Sequence, residues 1–186
     1  PQATRLSPQQ AFGVPLAFTL GLLLFGGLDS VRQNRTLLWS FVGSAAALLV
    51  WNMIVFLSAR RHGRTLAVAV VLSKQHYLQA CAQASVFLYW GFYWRQVYDS
   101  AHLLAAQLLF AYAFDFLLSW SRRDTYTVGF GPFPVVFSIN LFLWFKPDWF
   151  YLQFLMVALG FTAKELLRWD KDGRRTHIFN PSSFPL

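Results

Sequence analysis

Between Leu37 and Ser58 the chain reads LLWSFVGSAAALLVWNMIVFLS, 22 residues without a charge. A helix rises about 1.5 Å per residue, and crossing the hydrocarbon of a bilayer takes about 20 mostly apolar residues. This run is long enough to span. Five others recur along the chain: Phe12–Leu28, Tyr77–Trp94, Ala101–Trp120, Thr125–Phe145 and Trp149–Leu167. A short apolar piece at Leu66–Leu72 precedes Tyr77–Trp94. The expected fold class is an all-α polytopic membrane protein with about six transmembrane segments, residues 1–186 forming one helical domain. Composition points the same way. The chain of 186 residues is 56% hydrophobic and 13% charged, against about 25% charged in ordinary soluble domains. A soluble domain this small leaves too much surface exposed to hide that apolar content.

The net charge of +8 is distributed over short loops rather than along one face, which argues against nucleic-acid binding. Lys and Arg instead report orientation, because they favour cytoplasmic loops. With six crossings, 12 of the 16 basic residues share a side: Arg5, the Arg60–Lys74 loop, Arg122 and Arg123, and Lys164 onward. Arg32, Arg35, Arg95 and Lys146 fall on the other. Both the N-terminus and the C-terminal loop are therefore expected in the cytoplasm. The first run is followed by Gly-Gly-Leu-Asp-Ser rather than a cleavage site, so it reads as a signal anchor. The lone Cys81 rules out an internal disulfide and reads as a packing residue.

The fifth run is irregular. TYTVGFGPFPVVFSINLFLWF places Gly129, Gly131, Pro132 and Pro134 near one end and Asn140 in its middle. Proline removes backbone donors, and in lipid the freed groups must be met by protein or a water-filled cavity. The segment is expected to be a kinked helix, a broken half-helix or a re-entrant loop. Broken helices often mark sites in transporter-like folds. Tryptophans at 94, 120, 144, 149 and 169 lie near segment ends, as an interfacial belt requires.

Candidate chemistry is sparse. Asp115 is the one acid well inside a run, where a charge is costly and is either paired or functional. Its candidate partners are Arg122, Arg123 and Lys164. Lys164 can extend toward the interface, and Glu165 has Arg168 or Lys171 within reach. His76 and His102 are weak candidates for binding a cofactor, as axial ligands of a chlorophyll magnesium or a haem iron; no HxxxH or ExxH spacing supports a metal. GFGPFP lacks the third glycine of a nucleotide loop, and no GxSxG occurs. No residue is assigned a catalytic role, and no bound metal is expected.

The stretch AKELLRWDKDGRRTHIFNPSSFPL ends the chain. Residues 171–186 read as a basic cytoplasmic loop followed by a helix start. Asn180 suits an N-cap, Pro181 the first helical turn and Phe179 an apolar anchor before the cap. Lys164, Gly173, Phe179, Asn180, Pro181 and Ser182 together resemble a pattern of the RnfD and NqrB membrane subunits. The likeness is closest to RnfD-like proteins of enediyne-type biosynthetic clusters. Phe184-Pro185 stands where that family commonly has glycine. Upstream, Asp115 with its basic loop, the broken segment and the Pro147 turn match the family's arrangement.

The resemblance implies the first repeat of an inverted-repeat fold, a chain incomplete at its C-terminus, and a place in the bacterial inner membrane beside other membrane subunits. It implies a subunit of an electron-transfer complex that contributes helical scaffold and an ion or electron path. In RnfD and NqrB a flavin is joined to threonine in a Ser-Gly-Ala-Thr motif; no such motif occurs here, so the cofactor stays unassigned. Two other readings remain open: a structural or accessory subunit of a larger respiratory or photosynthetic complex, and half of a solute transporter.

Overall fold

The computed structural model describes residues 3–143, 146–171 and 174–177, with 168–171 and 174–177 described through their backbone alone. Strand β1 (Thr4–Leu6) leads into helix α1 (Pro8–Gly26), the short α2 (Asp29–Arg32) and α3 (Arg35–His62). Strand β2 (Leu66–Val70) follows, then α4 (Lys74–Tyr93), the short α5 (Arg95–Asp99) and α6 (Ala101–Arg122). Strand β3 (Thr125–Val128), α7 (Pro132–Phe142), a 3-10 turn (Pro147–Trp149) and α8 (Phe150–Leu166) come next. The hairpin β4 (Arg168–Lys171) and β5 (Arg174–His177) closes the described chain.

Local chemistry sets the helix ends. Ser7 and Gln10 form a reciprocal capping box at α1, where Pro8 takes a first-turn position at no hydrogen-bond cost. The Asn34 side chain accepts the Leu37 amide at 2.9 Å and starts α3. Gly63 ends α3 in the left-handed conformation, φ 62°, which lacks a steric penalty only for glycine. The 28 residues of α3 correspond to roughly 42 Å, longer than the hydrocarbon layer.

Two polar ends organise the bundle. At one, β2 pairs antiparallel with β1 and parallel with β3. The small sheet thus gathers the N-terminal strand, the segment after α3 and the segment after α6. At the other end Ser30 meets His102 at 3.2 Å, and Asn34 donates to Asp148 at 3.1 Å. Six helical legs, α1, α3, α4, α6, α7 and α8, make up the bundle. Three of them, α1, α3 and α6, are long and apolar enough to cross a membrane.

The core lies where α1, α3, α6 and α8 pack together. Phe41 of α3 stacks on Phe150 and meets Phe154 edge-on, and Phe154 in turn contacts Phe110 of α6. Helix α4 stands apart: only Ala80 and Phe87 are buried, while Leu88 and Phe92 are 75% and 84% exposed. An apolar face of this extent suits lipid or a protein partner rather than water.

The helical framework matches the expected class, with local corrections. Within the short apolar piece Leu66–Leu72, Leu66–Val70 is a strand, because LAVAV alternates β-branched residues and the Gly63 cap has already ended α3. The fifth segment is split, with β3, a turn at 129–131 and an 11-residue α7. Part of the C-terminal stretch read as a loop forms the β4–β5 hairpin. Gly173, Phe179, Asn180, Pro181 and Ser182, with the helix start expected there, lie outside the described residues.

Candidate functional site

The split fifth leg places its turn against α6 and α8. Tyr112 of α6 donates to the Gly129 carbonyl at 2.9 Å. A Cβ at Gly129 would lie 2.5 Å from the Val71 carbonyl oxygen, closer than side chains tolerate, so glycine is required by close approach. Pro132 and Pro134 fall in the first turn of α7, where missing N–H groups have no intrahelical partner to lose. The prolines therefore start the half-helix and do not kink a longer one. At about 1.5 Å per residue, α7 is roughly 16 Å long, half the hydrocarbon thickness.

Beside this turn a cavity of about 210 Å³ is lined by Asp115, Ser119 and Arg123 of α6, Thr125, Tyr126 and Thr127 in β3, and Phe161, Lys164 and Glu165 of α8. Two acids and two bases share it. Arg123 and Glu165 form an ion pair at 2.9 Å, with the Glu165 side chain only 9% exposed. Sequence reasoning placed Arg168 or Lys171 within reach of Glu165, and those two side chains lie outside the described residues; Arg123 is a partner that sequence reasoning did not name for it, brought in because tertiary packing sets the end of α6 beside the last turn of α8. Lys164 lies 5.6 Å over the Phe161 ring, and its Nζ is 3.7 Å from where a Cβ on Gly131 would stand. It therefore reaches both the cavity and the turn before α7. Asp115 and Lys164, singled out from sequence, meet in this one cavity.

Deeper between the same helices lies a triad of amides. Asn140 of α7 donates to Gln107 Oε1 at 2.6 Å and to the Val136 carbonyl at 2.8 Å. Gln107 of α6 donates to Gln153 Oε1 of α8 at 2.7 Å and, at 3.4 Å, to Asn140 Oδ1. Gln107 is fully buried, and Asn140 and Gln153 are each 4% exposed. In an apolar setting an unpartnered amide is expensive, so this closed network fixes the three helices in register. Asn140 was visible in the sequence. Gln107 and Gln153 were missed, although each interrupts an apolar run, in LLAAQLLFAYA and WFYLQFLMV.

The two levels are linked along one face of α6. Gln107, Ala111, Asp115 and Ser119 recur every fourth residue and share a face of α6. Ala111 and, on α8, Gly160 are buried. Asp115 stands about 12 Å along the axis from Gln107.

At the sheet, Arg64 clamps the end of α6. Its Nε and Nη2 donate to the Asp124 carboxylate at 2.6–3.0 Å, and Nη2 also donates to the Trp120 carbonyl at 2.7 Å. The hydrogen bond to Asp124 holds the guanidinium above its ordinary pKa, against a smaller opposing effect of burial. The clamp holds Asp124 in the left-handed region, φ 51°, which aspartate visits more readily than most residues.

The two histidines belong to opposite ends. His76 is in the first turn of α4 at the sheet end, and His102, near the start of α6, bonds Ser30 at the other. The structure does not bring them together. Among the described residues no group of three or more His, Cys, Asp or Glu side chains could hold a metal ion. No family model, no curated protein and no solved structure matches this chain.

Proposed function

We propose that this chain is an RnfD/NqrB-like subunit of an electron-transfer complex in the bacterial inner membrane, a helical scaffold contributing an ion or electron path. The six legs are its six crossings and make up the first repeat of an inverted-repeat fold. The sheet end, with Arg60, Arg61, Arg64 and Arg122, faces the cytoplasm by the positive-inside rule. Other membrane subunits are its partners.

The observation that carries the reading is the broken fifth leg. It joins a half-helix to a cavity containing four charged side chains and to a buried amide network. Polar groups within a helical membrane bundle are costly, and they cluster where ions or substrates pass. A plain anchoring bundle needs none of them.

The test is purification of the full chain from native membranes in mild detergent. The reading expects co-purifying subunits that carry flavin or iron–sulfur absorbance and quinone-linked activity. Recovery of an intact monomer, or of a complex with none of these, would overturn it.

A further inference from the structure

We infer that the groove between α3 and α8, at the end of the bundle away from the sheet, holds one anionic phospholipid, its phosphate at Arg35 and an acyl chain along α3. The inference goes beyond the reading above. It rests on α3 crossing the membrane, which its length and composition allow, and not on the redox assignment.

Three features carry it. First, the groove has the depth of one leaflet. Two adjoining cavities, of about 330 and 400 Å³, share Trp39, Ser40 and Tyr151 in their linings. Helix α3 forms one wall and α8 the other, with Phe110 and Phe114 of α6 as the floor. Arg35 and Thr36 line the outer end. Trp51 lines the inner end, where its Nε1–H donates to Ser121 at 3.0 Å and its ring meets Phe114 edge-on. From Arg35 to Trp51 there are 16 helical steps, roughly 24 Å. One leaflet with its headgroups is about 20–22 Å deep, whereas a partner helix must cross about 30 Å of hydrocarbon. The groove therefore suits a single lipid and stops short of what a crossing helix needs.

Second, the charge at the mouth suits an anion. Among the described residues Arg35 forms no ion pair or hydrogen bond, and Asp148 accepts from Asn34 instead. Arg35 is also the first residue of α3, so its charge adds to the positive end of the helix dipole. A guanidinium binds phosphate oxygens through two parallel hydrogen bonds. No acid lines either cavity. A zwitterionic headgroup would bring an ammonium that finds no carboxylate there, so a lipid of net negative charge is favoured. Trp39 and Tyr151, 61% and 51% exposed, flank this end, as interfacial aromatics do.

Third, α3 itself keeps the apolar part open. Gly43 and Ala47 line it, and nothing packed against α3 lies within 4 Å of where a Cβ on Gly43 would stand. Glycine inside a helix is destabilising relative to alanine, and no neighbouring element crowds this one. Ser40 turns its hydroxyl onto the Thr36 carbonyl at 2.7 Å, so it presents no free donor to a chain of methylenes.

The test counts retained lipid. The full chain is reconstituted into vesicles of equal phosphatidylglycerol and phosphatidylethanolamine and re-extracted in excess mild detergent. Mass spectrometry then identifies the lipid that stays bound. The expected result is a single phosphatidylglycerol per chain. Arg35→Gln is expected to lower its retention about tenfold, the scale of a charge-assisted hydrogen-bonded contact. Gly43→Phe is expected to displace it while leaving the thermal midpoint in detergent nearly unchanged, because the space it fills is open. Equal retention of the two lipids, no retained lipid, or full retention by either variant would each overturn the inference. So would cross-linking of Ala47→Cys, in a Cys81→Ser background, to another polypeptide in native membranes, since that would give the groove to a partner helix. Arg35 is exposed, so its variant decides the matter if Gly43→Phe does not fold. Recovery or loss of redox subunits does not alter the lipid count, and absence of the lipid leaves the redox reading in place.

Discussion

Single residues set the geometry around the broken leg. Gly129→Ala would push a methyl group to 2.5 Å from the Val71 oxygen, a backbone atom that cannot swing away. Its expected cost is about 1–3 kcal/mol, the usual scale of overpacking, read as a lowered thermal midpoint in detergent. Gly131→Ala meets only the flexible end of Lys164 at 3.7 Å, an ordinary contact, and is expected to leave the midpoint nearly unchanged. Equal losses from both would contradict this account of the turn. Arg64→Ala removes the clamp on Asp124 and the Trp120 carbonyl. The Ala67 amide, which bonds the Asp124 carbonyl at 2.9 Å, should then exchange roughly fivefold faster, about 1 kcal/mol of local opening. Arg64→Lys should recover only part of this protection, because an ammonium lacks the planar fork.

At the scale of elements, α6, α7 and α8 are tied by amides rather than by apolar packing alone. Gln107→Leu removes one member of the triad and strands the others. The expected loss is about 1–2 kcal/mol, the range for interhelical hydrogen bonds in membranes, measured by unfolding in mixed micelles. A double-mutant cycle between Gln107→Leu and Asn140→Leu should show coupling, since the two side chains exchange hydrogen bonds at 2.6 and 3.4 Å. Strict additivity would mean that the triad is not a unit. The break in the fifth segment was readable from its two glycines and two prolines. That β3 would pair in parallel with β2 was not, because the partner strands are separated by the whole of α4, α5 and α6.

For the molecule as a whole, the sheet makes a topological statement. Because β1, β2 and β3 are hydrogen-bonded neighbours, the segments at Arg5, Leu66–Val70 and Thr125–Val128 must lie at one end. Single cysteines placed at Arg61 and Arg122, in a Cys81→Ser background, should be labelled from the same face of sealed vesicles. One at Asp148 should be labelled from the opposite face. Labelling of Arg61 and Arg122 from different faces would contradict the bundle, and labelling of both from outside would overturn the proposed orientation. The exposed apolar side of α4 belongs to this scale too, since its residues find no cover within the described bundle.

Apolar run length was enough to place the helical legs, since each helix satisfies its own backbone and its length follows from the medium it must cross. Runs free of charge, capping residues and proline positions are local properties, and they put α1, α3 and α6 within a few residues of their observed bounds. That the segments at Arg5, Leu66–Val70 and Thr125–Val128 share an end is shown by the pairing of β1, β2 and β3. The site is another matter. Arg123 with Glu165, Asp115 in one cavity with Lys164, and Gln107 among Asn140 and Gln153 join residues 33 to 49 positions apart. Those pairings depend on how three helices rotate and slide against each other until the amides and charges of the seam meet. No local pattern encodes that condition, so the polar seam emerged only when the helices were packed.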